Sequence, residues 1–137
     1  MTTQRKRKEL ISIPGVNLPA GNVVGIKAGG LLWYSALRAD GADVKEQARN
    51  ALAALKRNLE AAGATLDDVV KATVYFQDIA DRLPFHEVWM EHFSGPEYPA
   101  RIVVQVADAS MRPGGGSQFA IDIVALAPES CRCPQRS

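Results

Sequence analysis

Between Asp43 and Gly63 the chain carries an apolar residue at almost every third or fourth position: Val44, Ala48, Ala51, Leu52, Leu55, Leu59 and Ala62. That spacing lays a continuous stripe along one side of an α-helix. The ends are marked as well. Asp43 suits an N-cap, with Glu46 three residues on as in a capping box, and Gly63 suits the left-handed residue that stops a helix. The opposite side carries Lys45, Glu46, Arg49, Lys56, Arg57 and Glu60 and reads as a solvated face. A helix with one apolar stripe needs a second layer to bury it, so the rest of the chain has to supply a sheet.

Strand signals lie on both sides. Val23–Lys27 and Leu31–Ser35 flank Gly29-Gly30 and read as a hairpin, and Glu9–Ile13 suits a short edge strand. Residues 14–22 read as a loop. Val69–Phe76 reads as a strand, 78–81 as a turn, and Pro84 opens a second helix whose apolar side is Phe85, Val88, Trp89 and Phe93. Two Val/Ile-rich runs follow, Pro99–Val106 and Gln118–Val124, and read as a strand pair joined through Arg112–Gly116. The order is β-β-α-β-α-β-β, with the short edge strand extra. This predicts an α+β fold in which two helices cover one face of a mixed sheet.

Side chains alternate along a strand. Arg101, Val103 and Gln105 therefore share one face, and Ile102, Val104 and Val106 the other. Ala120, Asp122 and Val124 oppose Phe119, Ile121 and Ile123 in the same way. The wholly apolar sets are expected to form the core. That puts Arg101 and Asp122 together on the uncovered face, where they meet water or another copy of the chain.

Composition bounds the function. A length of 137 residues, 47% apolar, fits one domain with a real core. The formal net charge of +1 argues against nucleic acid as an obligate partner. No apolar run approaches the ~18 residues of a membrane span. The two cysteines, Cys131 and Cys133, imply no disulfide framework, and a cytoplasmic location is the default. The expected layout is a basic arm over 1–8, one domain over 9–127 and a disordered tail over 128–137. His86 has an unperturbed pKa near neutrality and suits acid–base work. His92 lies six residues on, too far to share a helix face as a second ligand, so no metal site is expected. Gly114-Gly115-Gly116 lacks the Lys-Ser/Thr of a phosphate loop and precedes a strand.

Taken together, these segments resemble the YjgF/RidA family, also called the L-PSP or reactive-imine deaminase family. The matching residues are Glu60-Ala61-Ala62-Gly63, Leu66–Lys71 running into Thr73-Val74-Tyr75, Asp78-Ile79, Trp89–Phe93, Pro99-Ala100-Arg101 and Ile121–Ala125, roughly residues 20–127. The resemblance implies a chorismate-mutase-like fold, a homotrimer, and sites in clefts between subunits. It implies that Arg101 grips the carboxylate of a small enamine or imine acid, which water converts to a 2-keto acid and ammonia without a cofactor. A guanidinium fork suits that task because it matches a carboxylate in two places. Ser35 stands where the family keeps a serine. Elsewhere the pattern departs: the water-activating glutamate falls on Ala120, the early tyrosine on Asn22, an asparagine on His86 and a cysteine on Val103. The candidate catalytic residues are Arg101, His86 and Asp122. The candidate ligand-binding residues are Arg101, Ser35, Asn22, Val103 and Ala120. The alternative to an enzyme is a trimeric binder of small carboxylic or aromatic metabolites. Ribonuclease activity is disfavoured by the near-neutral charge.

Overall fold

The computed structural model describes residues 7–108 and 117–128. The glycine run 114–116, the cysteine pair and most of the basic arm lie outside these residues. The elements are β1 (Glu9–Ile11), β2 (Gly25–Ala28), β3 (Leu31–Leu37), α1 (Val44–Ala61), β4 (Val69–Phe76), α2 (Arg82–His92), β5 (Ala100–Gln105) and β6 (Phe119–Leu126). Single 3-10 turns precede β4 and α2, at Leu66–Asp68 and Ile79–Asp81.

Helix α1 forms as the stripe requires. Asp43 Oδ1 accepts from the Glu46 amide at 2.9 Å. The Glu46 carboxylate reaches back to the amide of Ala42, one residue before the cap, at 2.6 Å. Gly63 takes φ +84°, and the amide of Ala64 returns to the Leu59 carbonyl at 2.8 Å, which closes the helix. Helix α2 begins at Arg82, two residues ahead of Pro84. Proline is tolerated there because amides of a first turn have no partner within the helix. The charged side of α1 is not wholly free. Lys45 and Arg49 pair with Glu87 and Glu91 of α2, exposed contacts that contribute little.

The sheet order is β1-β2-β3-β6-β4-β5. Only β4 and β5 run parallel; the other pairs are antiparallel. A parallel pair needs a crossover, and α2 is that crossover. Hence β5 and β6 are not neighbours, as their proximity in sequence suggested, because β4 lies between them. Helix α1 likewise carries the chain from β3 to β4 over a slot one strand wide, which β6 fills.

Both helices lie on one face. Val44, Ala48, Leu52, Leu55 and Leu59 of α1 and Phe85, Val88 and Trp89 of α2 pack on Leu32, Tyr34, Ala72, Val74, Phe76, Phe119, Ile121 and Ile123. Phe76, Phe85 and Phe119 meet edge to face, with centroids 5.0–6.1 Å apart, geometries that aromatic quadrupoles favour. Gln47, a polar residue of α1, is also buried. It donates to the Gly41 carbonyl and accepts from the Gln118 amide at 3.0 Å, pinning the start of β6 to the helix.

Tyr34 is buried with its hydroxyl donating to the Asn58 carbonyl at 3.0 Å. Burial pushes its pKa from 10.0 to about 12. Because the folded value is the higher one, its contribution to stability is complete below pH 10 and is lost as pH rises through about 12. Urea midpoints measured from pH 9 to 12 are expected to fall in the wild type and to fall less steeply in Tyr34→Phe.

Candidate functional site

Arg101 is the second residue of β5, and its placement follows from the crossover. In register it aligns with Ala72 of β4, which aligns with Ile123 of β6. All three therefore project to the helix-covered face, beneath α2. Asp122 aligns with Thr73, which aligns with Ile102, and these project to the other face. The expectation that Arg101 and Asp122 share the uncovered face is thus overturned, since the two project to opposite faces. Ile102, expected in the core, is 51% exposed, whereas Val103 packs against the core.

Under α2 the guanidinium is held on two sides. Arg101 Nη2 lies 2.9 Å from His86 Nδ1. Arginine only donates, so Nδ1 is the acceptor and the neutral ring carries its proton on Nε2. The guanidinium carbon sits 5.0 Å from the centroid of the Trp89 ring, within cation–π range. Trp89 is itself stacked on Phe93 at 4.2 Å and Phe85 at 5.9 Å. Burial lowers the pKa of Arg101, and guanidinium remains charged regardless. Its Nη1 is buried with no hydrogen-bond partner among the described residues.

Arg101 and His86 line two recesses. One, about 390 Å³, is completed by Trp89, Met90, Tyr98 and Pro99. The other, about 210 Å³, adds Arg82, Leu83, Phe85 and Val103. So Arg101, His86 and Val103 come together. Trp89, Met90 and Tyr98 complete the neighbourhood, and sequence reasoning gave them no site role. Tyr98-Pro99, separated from the arginine only by Ala100, was the available signal.

The other candidates lie elsewhere. Ser35 is exposed on β3. Asn22 lines a separate recess of about 170 Å³ against Ile11 and Val24. Ala120, in register with Tyr75, is fully buried. Asp122 has both oxygens engaged: Oδ1 accepts from the Ala36 amide at 2.9 Å and Oδ2 from the Tyr75 hydroxyl at 3.2 Å. Ala36 takes φ +57° inside a register shift between Tyr34 and Leu37, so Asp122 anchors an irregular turn in β3. Its negative charge, ahead of burial, raises the pKa of Tyr75. Among the described residues, no cluster of three or more His, Cys, Asp or Glu is placed to hold a metal, and no helix is long and apolar enough to cross a membrane.

Comparison with known proteins is consistent with this architecture. Residues 23–127 match the profile of the endoribonuclease L-PSP family. A RutC family protein of Saccharolobus solfataricus is 37% identical over 109 residues, covering 73% of this chain and 86% of that protein. A RutC family protein of Pyrococcus abyssi is 46% identical over 65 residues, and the chain spans only half its length. TdcF of Escherichia coli, named as a candidate reactive intermediate deaminase, is 40% identical over 68 residues, 48% of this chain and 53% of TdcF. Among solved structures, RidA of the Antarctic bacterium Psychrobacter superposes with TM-score 0.74 at 29% identity, covering 86% of this chain and 98% of RidA. YyfA of Yersinia pestis, a Rid family protein, reaches TM-score 0.79 at 23% identity over 88% of this chain and all of its own, a likeness of fold alone. With the profile matching residues 23–127 and the fold shared over 88% of the chain, the protein belongs to the endoribonuclease L-PSP family, the YjgF/RidA group.

Proposed function

We propose that the protein is a hydrolase that deaminates enamine or imine carboxylic acids to 2-keto acids and ammonia, with the substrate carboxylate on Arg101. The observation that carries this reading is Arg101 Nη1, a buried donor without a partner among the described residues, beside an open recess. A buried polar group in that state calls for an acceptor, and a carboxylate bridging the fork supplies one. Trp89 and His86 hold the guanidinium in place beforehand, so little freedom is lost on binding. With the acid held, water adds to the imine carbon, the C=N π pair goes to nitrogen, and the resulting carbinolamine expels ammonia as the carbonyl forms. The two protons gained by nitrogen come from the added water, and His86 offers an Nε2–H hydrogen bond that suits orienting the reacting groups.

The uncovered sheet face, opposite the one that carries Arg101, supports a homotrimer. Trp33 and Ile102 stand 45% and 51% exposed there, an apolar surface of the kind subunits cover. The test is release of ammonia and 2-keto acid from freshly generated 2-iminobutanoate. Wild type is expected to exceed the spontaneous rate and Arg101→Ala to match it, while the protein sediments at three times the chain mass. Equal rates for wild type and Arg101→Ala sink the deaminase reading, and a monomer at micromolar concentration sinks the trimer. A second reading, a carboxylate binder without turnover, is favoured by Ala120, which stands where the family has its glutamate. It predicts Arg101-dependent binding with no ammonia.

A further inference from the structure

The larger recess beside Arg101 offers more room and more apolar lining than an acid of two to four carbons fills. Its volume, about 390 Å³, falls within the range of pockets that enclose whole organic ligands. Apart from Arg101 and His86 its lining is Trp89, Met90, Tyr98 and Pro99, none of which offers charge. Met90 and Tyr98 remain 43% and 47% exposed, so apolar surface is available for a ligand to cover. We propose, building on the carboxylate grip at Arg101, that this recess selects acids whose side chain is bulky and apolar, aromatic above all. Met90 and Tyr98 are its specificity-determining residues.

The arrangement is directional. The guanidinium lies against Trp89 at 5.0 Å, which fixes where the carboxylate sits and leaves the substituent to extend between Met90 and Tyr98. Tyr98 is positioned by its own loop: a Cβ built on Gly95 would lie 2.3 Å from the Tyr98 ring. The ring therefore rests against the Gly95 backbone, and a side chain there would have to displace it. A fixed aromatic wall favours a flat, apolar partner through offset or edge contacts. Met90 supplies the adaptable side of the slot, since a thioether packs against varied shapes.

The test uses two unreactive carboxylates, propanoate and 3-phenylpropanoate, titrated calorimetrically into the wild-type protein. Neither can be turned over, so the result does not depend on catalysis. The phenyl compound is expected to bind roughly 10- to 100-fold more tightly, as burial of a ring of that size implies. Tyr98→Ala and Met90→Ala should each cut that ratio several-fold. Gly95→Ala should cut it as well by displacing the ring, although the tyrosine is still present. Arg101→Ala should weaken both ligands. Equal affinities for the two acids, both dependent on Arg101, would overturn the selectivity while the carboxylate grip stands. Tighter binding of the phenyl compound that ignores Arg101 but responds to Tyr98 would keep the slot and remove the grip. A ratio unmoved by all three wall variants, or no binding of either acid, would refute the proposal.

Discussion

Arg101→Lys is expected to weaken carboxylate binding by about 5- to 150-fold, the loss of roughly 1–3 kcal/mol when a fork of donors becomes a point charge. The structure sharpens the reason. The guanidinium stands over Trp89, its carbon 5.0 Å from the ring centroid, while one arm reaches His86 and the other has no partner among the described residues. An ammonium occupies one position only and cannot stack, span to His86 and meet a carboxylate together. The fold should hold, because the residue sits at the rim of the core and lysine keeps an apolar stem. Calorimetric titration with 3-phenylpropanoate and a thermal melt read the two effects separately. An unchanged affinity would remove Arg101 from the site.

Asp122→Ala is expected to cost about 1.5–3 kcal/mol of stability, the usual worth of hydrogen bonds to a charged acceptor. Two donors lose their partner at once, the Ala36 amide and the Tyr75 hydroxyl. The first matters more, since Ala36 is held at φ +57°, a conformation that disfavours any residue with a Cβ. Ala36→Gly in the wild-type background should recover up to about 1 kcal/mol, relief of that strain less the added freedom of the unfolded glycine. Urea unfolding checks both variants, and titration of Tyr75 by absorbance should show its pKa falling in Asp122→Asn. A stable Asp122→Ala protein would mean that the turn holds itself.

How far these features were legible in the sequence depends on distance along the chain. Helix α1 was readable throughout because its stripe, its cap at Asp43 and its stop at Gly63 are all local. Strand β5 was readable as a strand but not as to face. Arg101-Val103-Gln105 and Ile102-Val104-Val106 were ranked by hydrophobicity, and the more apolar set was sent inward. The ranking failed because inward polar groups found partners: Arg101 meets His86 and Trp89, and the Gln105 side chain accepts from the Ile79 amide at 2.8 Å. Those contacts bridge 15 and 26 residues, and alternation carries no information about them. The same holds for Asp122, whose partners lie 47 and 86 residues away. His86 and Val103 were drawn to Arg101 by family resemblance, whereas Tyr98 and Met90 belong to no pattern and required the folded recess to be seen.

The slot that α1 steps over bears on how the protein is made. As the chain leaves the ribosome, β3 and β4 both emerge with an open edge facing the gap, and only β6, the final strand, joins them. Until synthesis passes Phe119, the β1–β3 hairpin layer and the β4–β5 unit are two unfinished halves with exposed backbone donors and acceptors. Native packing is therefore delayed until β6 has been made, and the pairings that complete it span up to 95 residues, as in Leu31 with Leu126. Such distant closure slows folding, and in that interval the unpaired strand edges favour association with other chains.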